Sequence, residues 1–263
     1  MHETMDGSTL AQELQAGRSD FSSCRMDDKL MQTVCEHFTN HTKINLRGNS
    51  IGNDGLRVLA AALKTHTSLK ILNLSDNPSI GPDGAASLAD ALSMNQVLEE
   101  LYLSHNSAGD EGVKAIAKAL EDNKCLKKLY LNHVELSLDG LEELCRRLAN
   151  NAALQVLWLY DNKFKESAVP LLSNLLESNC ALLRVWIQSP NSSKLDFFCN
   201  LNRRGRYQTL LRQDCPEGLV PFGLARIGNK FNKCALDHVY FTLRNKPELG
   251  ILHSKNRKRK LDG

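Results

Sequence analysis

His105 and His133 stand 28 residues apart, and Asp161 follows after another 28 in a series that also holds Gly48, Asp76 and Ser189. Two imidazoles side by side with an Asp beyond each could bind a metal, or could make recognition depend on pH through mutual repulsion and carboxylate attraction. A zinc site needs at least three firm protein ligands, and no third joins this pair. A solvated polar rim is therefore the simpler reading, and neither metal nor cofactor is expected. A second series keeps the same spacing: Asn45, Asn73, Tyr102, Tyr130, Trp158 and Trp186. Both tryptophans of the chain and two of its five tyrosines fall in it, with Tyr160 two residues beyond Trp158. Trp and Tyr dominate interface energetics, so Tyr102, Tyr130, Trp158, Tyr160 and Trp186, flanked by His105, His133 and Asp161, make the candidate partner-binding surface. The plainer alternative is a row of rings that only stack on each other.

Motifs for covalent or nucleotide chemistry are missing. The sequence has no GxxxxGK[ST] and no GxGxxG for phosphates, and no HExxH, GxSxG or zinc-spaced Cys/His set. No catalytic residue is assigned, and the chain reads as a non-enzyme. Its 263 residues, 42% apolar and 24% charged, suit a folded chain of one large domain or two small ones. The longest apolar run is the six residues 58–63, far short of the ~20 that span a bilayer. The N-terminus MHETMDG is acidic and polar where a secretory signal is basic and then apolar. Eight cysteines without a CxxC pair read as reduced thiols within apolar patterns. The expected location is the cytoplasm.

These residues need elements to position them, and a repeat supplies the elements. The units INLRGNSIGNDGLRVLAAAL, LNLSDNPSIGPDGAASLADAL, LYLSHNSAGDEGVKAIAKAL, LYLNHVELSLDGLEELCRRL and LWLYDNKFKESAVPLLSNLL recur at spacings of 28 or 29 residues, and VWIQSPNSSKLDFF is a degenerate sixth. Such regularity is the mark of a stacked-repeat architecture. Within each unit, paired apolar residues of period two, such as Leu101/Leu103 and Leu157/Leu159, predict a short strand. Triples stepping by three and then four, such as Leu56/Leu59/Leu63 and Val113/Ile116/Leu120, predict an amphipathic helix. One strand and one helix cannot bury their apolar faces alone, so the units must stack, strands into a parallel sheet and helices outside it. Side chains between the paired strand leucines then point to the inner, concave face. Asn49, Asn77, Asn106 and Asn162 recur after each strand, where an amide can both donate to and accept from turn backbone. Val134 breaks that column, so a weaker turn is expected there.

LxLxxN followed by IGxxG and LAxAL resembles the leucine-rich repeat of the ribonuclease-inhibitor class, shared by ribonuclease inhibitor, NOD-like receptors and the Ran GTPase activator. The likeness covers roughly residues 41 to 190. It implies a curved α/β solenoid with a parallel sheet inside and helices outside, used as an intracellular protein-recognition module. The nucleotide-binding motor that accompanies the repeats in NOD-like receptors has no counterpart motif here. Resemblance to the Ran activator supplies the alternative, a GTPase-activating scaffold; that family has more repeats and an acidic tail.

Solenoid ends expose apolar edges and need caps. Leu30, Val34 and Phe38, after Asp27 and Asp28, predict a capping helix. Charge changes along the chain, from −4 over residues 1–40 and −2 over 41–190 to +9 over 191–263. The expected organisation is a disordered N-terminus over 1–26, the solenoid with its capping helix over 27–190, a helical C-terminal cap over 191–252 and a basic disordered tail over 253–263. In that tail Lys255, Arg257, Lys258, Arg259 and Lys260 could engage an import receptor and carry the protein into the nucleus, or make weak contact with nucleic acid; a solubilising tail is the alternative. The partner expected on the concave face is a protein.

Overall fold

The computed structural model describes residues 5–164, 166–189 and 193–203. The chain divides into two units after Asn202, and the architecture below is that of the first. Each apolar pair forms a three-residue strand: β1 (Lys43–Asn45), β2 (Ile71–Asn73), β3 (Glu100–Tyr102), β4 (Lys128–Tyr130), β5 (Val156–Trp158) and β6 (Arg184–Trp186). The helices between them are α3 (Asn53–Leu63), α4 (Pro82–Met94), α5 (Gly109–Asp122), α6 (Leu138–Leu148) and α7 (Ala168–Ser178). Strands pair in chain order into one parallel sheet, in a register that sets Leu72, Leu101, Leu129 and Leu157 side by side. These leucines are fully buried, and the helical stripes opposite them are buried apart from the partly covered Val169. Neighbouring strands lie ~4.8 Å apart and packed helices ~8–10 Å apart, so the stack curves with its sheet on the concave side.

Hydrogen bonds from side chains to backbone lock each repeat to the next. After each strand, Asn77 donates from Nδ2 to the carbonyls of Leu46 (3.1 Å) and Leu74 (3.0 Å), while its Oδ1 accepts from Ile51 N at 3.1 Å. Asn49, Asn106 and Asn162 do the same work in their own repeats. At the corner where each helix turns back to a strand lies a second asparagine ladder, Asn95, Asn123, Asn151 and Asn179. Asn151, for example, donates to Leu120 O and Asn123 O at 2.6 and 3.1 Å and accepts from Ala153 N and Leu154 N at 3.0 and 2.8 Å. His66 fills the first place in that ladder. Its Nδ1 accepts from Ser68 N and Leu69 N, which leaves Nε2 to donate to Phe38 O at 3.1 Å.

A third set of contacts caps the helices from the repeat before. Asp28 accepts from Gly52 N at the start of α3, Asn53 from Gly81 N and Gly84 N at the start of α4, and Asp110 from Ser137 N at the start of α6. The same column carries Pro82 and Leu138, which cannot accept, and the next helices α5 and α7 have no side-chain cap. This arrangement draws the starts of α3, α4 and α6 against the preceding repeat. A Cβ at Gly84 would meet Asn53 Oδ1 at 2.6 Å and Asn53 Cα at 3.2 Å, so the second glycine of IGxxG is required by close approach.

Val134 is buried and supplies no amide, yet its own N–H is held by Asn162 Oδ1 at 3.0 Å and its carbonyl accepts from Gly109 N at 2.9 Å. The turn is therefore bridged by backbone on one side and by the next repeat on the other. His133 and Glu135 on either side of Val134 both have left-handed backbone, with φ of 50° and 63°, a conformation costing roughly 1–2 kcal/mol per non-glycine residue.

The N-terminal expectation is corrected. Within residues 1–26, read as disordered, α1 (Gly7–Gln15) is capped by Asp6, whose carboxylate accepts from Thr9 N at 2.8 Å. Leu10, Leu14, Phe21 and Met26 are buried. The chain after α1 runs beside β1, with bridges at Asp20–Asn45 and Asp27–Ser50, and covers backbone groups that an open sheet edge would expose. In α2 (Met31–His37) and just after it, Met31, Val34 and Phe38 are buried while Leu30 is only partly covered. At the other end α8 (Ser193–Arg203) buries Leu195, Phe198 and Cys199. Asn202 donates to Asn179 O and Leu182 O at 3.0 and 2.6 Å, so α8 adds a further rung to the corner ladder. The rest of the expected C-terminal cap and the basic tail lie outside the described residues. Among the described residues no helix is long and apolar enough to cross a membrane.

Candidate functional site

Period-two alternation in each strand buries one side chain and presents the next, so the concave face consists of columns running across the sheet. The central column is Asp20, Asn45, Asn73, Tyr102, Tyr130, Trp158 and Trp186, with Asp20 contributed by the N-terminal segment. Tyr102 and Tyr130 stack with centroids 4.1 Å apart and planes 6° from parallel. Tyr130 and Trp158 are tilted at 5.5 Å and 47°, and Trp158 stacks on Trp186 at 5.3 Å and 25°. The band becomes more open toward β6: the first three rings are partly covered, whereas Trp186 is 53% exposed and Tyr160, two residues after Trp158 and just beyond β5, is 48% exposed.

Electrostatics differ on the two borders of this band. Beside its closed end, the Tyr102 hydroxyl donates to Glu100 Oε2 at 2.9 Å, and the other oxygen of Glu100 holds Lys128 Nζ at 2.7 Å. Burial, followed by hydrogen bonds with Tyr130 and Glu100, pushes the Tyr102 phenol upward, so it stays protonated. The bond to Glu100 also holds the Lys128 ammonium above its usual range. On the far border His105 stacks on His133 at 5.2 Å, and His133 Nδ1 lies 3.0 Å from Asp161 Oδ2.

That His/Asp series has a backbone explanation. Ser23, Asp76, His105, His133 and Asp161 have φ between 50° and 60°, and Gly48 has φ 68°. Ser23, Gly48, Asp76, His105 and His133 each donate the backbone N–H to a carbonyl of the following repeat, as His105 N does to Asn132 O at 2.8 Å. The left-handed region is tolerated by Gly and favours Asn, Asp and His among the rest, so the turn selects the residue types that looked like ligands. Among the described residues no group of three or more His, Cys, Asp or Glu side chains is placed to hold a metal ion.

All eight residues proposed from the sequence lie on this face, five as rings and three at the left-handed turn. Comparison with known proteins agrees with the geometry. The pattern described as Leucine Rich repeat matches residues 42–60, 65–89 and 95–117. Leiomodin-1 actin-binding site 2 superposes with a TM-score of 0.54 at 20% identity, covering 60% of this chain and 93% of that one. The fold is a leucine-rich-repeat solenoid. The tropomodulin C-terminal domain of Caenorhabditis elegans matches at TM-score 0.43 and 14% identity over 79% of this chain and 100% of that one. The yeast complex of Rad7 and Elc1 matches at 0.43 and 13% over 70% and 54%. Of these three, the leiomodin-1 match exceeds 0.5, and at its identity it speaks for the fold alone.

Two elements of the solenoid's concave face escaped sequence reasoning. Asp20 joins the central column from a segment that has no repeat signature. Arg184 opens β6 on the concave side two residues before Trp186, and is exposed. Its signal was available, because Lys43, Ile71, Glu100, Lys128, Val156 and Arg184 follow the repeat spacing.

Proposed function

We propose that this solenoid is a non-catalytic recognition module that takes a partner protein on its concave face, at the open end of the aromatic band. The observation that carries this reading is the exposure of Trp186 (53%) and Tyr160 (48%) on a sheet face whose interior is already closed by leucines. Exposed rings of this size contribute nothing to the core, and clustered apolar exposure marks interaction surfaces. The full α-helix on the convex side of each repeat supports the ribonuclease-inhibitor type of repeat. Protein recognition is favoured over GTPase activation because the band offers contact area, whereas no observation singles out a group to act on a nucleotide.

The test is affinity capture from native lysate with the wild-type chain beside Trp158→Ala/Trp186→Ala, with melting temperatures measured for both. Loss of captured proteins from a folded variant supports the reading, and undiminished capture contradicts it. Leiomodin-1's matching segment carries actin binding in its name, which makes actin co-sedimentation a direct second assay. Nuclear entry through Lys255, Arg257, Lys258, Arg259 and Lys260 belongs to the same proposal: deleting residues 254–263 should leave the melting temperature unchanged and shift a fluorescent fusion toward the cytoplasm.

A further inference from the structure

Resting on the concave-face reading above, the geometry points to a particular chemistry for the partner: we infer that it presents a linear segment with a carboxylate next to bulky apolar anchors, the anchors on Trp158, Tyr160 and Trp186 and the carboxylate on Arg184. The argument begins from charges that the face leaves unanswered. At the strand starts, Lys128 is satisfied by Glu100 at 2.7 Å, and Lys127 by Glu99 at 2.7 Å. Arg184 has the same position in the last strand, is exposed, and makes no ion pair among the described residues. Its guanidinium stands two residues from the most exposed ring of the band, on the same side of the strand.

At the opposite border Lys163 is paired with Glu135 at 3.1 Å, and the Asp161 carboxylate lies 3.0 Å from His133 Nδ1. Asp161 is also five residues along the chain from the level of Arg184, in the turn beyond the end of β5. An acidic ligand group is thus attracted at one border of the rings and kept away from the carboxylate at the other, which sets its orientation. A guanidinium suits this task better than an ammonium, because its planar fork binds a carboxylate through two parallel hydrogen bonds. Apolar anchors over the rings would exclude water from that pair and strengthen it.

The test uses a random linear peptide library displayed on phage and selected on the full chain. Selected sequences are then synthesised and titrated, with tryptophan fluorescence as readout, against wild type, Arg184→Glu, Arg184→Lys and Trp158→Ala/Trp186→Ala, each checked by melting. Where the double variant leaves no tryptophan to report, a fluorescein label on the peptide replaces it. The inference expects Asp or Glu beside Leu, Phe, Trp or Tyr in the selected peptides. It also expects on the order of tenfold weaker binding to Arg184→Glu, a smaller loss for Arg184→Lys, and no measurable binding to the double variant. Peptides that lack acidic residues, bind Arg184→Glu as well as wild type and still lose binding to the double variant would overturn the inference while leaving the concave-face reading intact. Peptides that bind the double variant unchanged would overturn both. A selection that returns nothing above background counts against the inference as well.

Discussion

The front and back halves of the concave face share one backbone and differ in what their central column does. In the front half Asn45 donates to Asp20 Oδ2 at 3.1 Å and accepts from Arg47 N at 3.2 Å, and Asn73 accepts from Ser75 N at 3.0 Å. Those side chains are engaged with their own chain. In the back half Tyr130, Trp158 and Trp186 take the same register positions and stack on one another, leaving ring area open to solvent. Buried aliphatic side chains, Ile44 and Leu72 in front and Leu157 and Val185 behind, lie beneath both halves. The scaffold is therefore indifferent to the column, and the column is where a binding surface can be written without cost to the fold.

The largest effect should be common to both halves. Leu72→Ala in the front and Leu157→Ala in the back each remove a solvent-free side chain and should lower stability by about 2–5 kcal/mol, read by denaturant titration. A front leucine that tolerates replacement would show the halves to be unequal scaffolds. The next effect should separate the halves: Trp158→Ala/Trp186→Ala should weaken partner binding by ~2 kcal/mol or more, while Asn45→Ala/Asn73→Ala leaves it unchanged. Calorimetry or fluorescence titration with a captured partner reads both.

How much of this was legible depended on whether the residue pattern repeats and on which force selects it. Alternating and helical apolar periods marked every strand and helix from β1 to α7, because burial selects Leu and Ile at fixed positions. The ladder of Asn95, Asn123, Asn151 and Asn179 carries the same spacing and was legible in principle, but polar residues at helix ends read as solvent-facing until their buried carbonyl partners are seen. His105 and His133 were ambiguous for the opposite reason: the left-handed backbone at their turns favours the same residue types that ligand chemistry would. The front cap ahead of α2 was illegible because it occurs once. Leu10, Leu14, Phe21 and Met26 are buried by a segment with no second copy to reveal its register.

Smaller effects sharpen the comparison at the cysteines and on the convex side. Burial pushes the Cys35 thiol in the front cap and the Cys145 thiol in α6 up to about 12, whereas Cys180 near the back is exposed. Iodoacetamide at pH 8 should therefore label Cys180 first and the other two at least roughly tenfold more slowly, because only the thiolate reacts; mass spectrometry of the labelled peptides reads the order. Arg146 and Arg147 hold the Glu143 carboxyl down at about 2. A folded pKa below the unfolded one means that this pair stabilises above the ordinary carboxylate range and is lost as pH falls toward 2. An NMR titration should place the Glu143 midpoint near that value, and Arg146→Ala/Arg147→Ala should return it to the ordinary range.

The central claim, that recognition resides in the back half of the central column, is tested most directly by quantitative capture on three immobilised chains: wild type, Asn45→Ala/Asn73→Ala and Trp158→Ala/Trp186→Ala. All three should melt cooperatively within a few degrees of one another, and the proteins held by wild type should also be held by the front variant and lost from the back variant. If the back variant unfolds, or keeps the same proteins while the front variant loses them, the aromatic band is packing and the partner binds elsewhere.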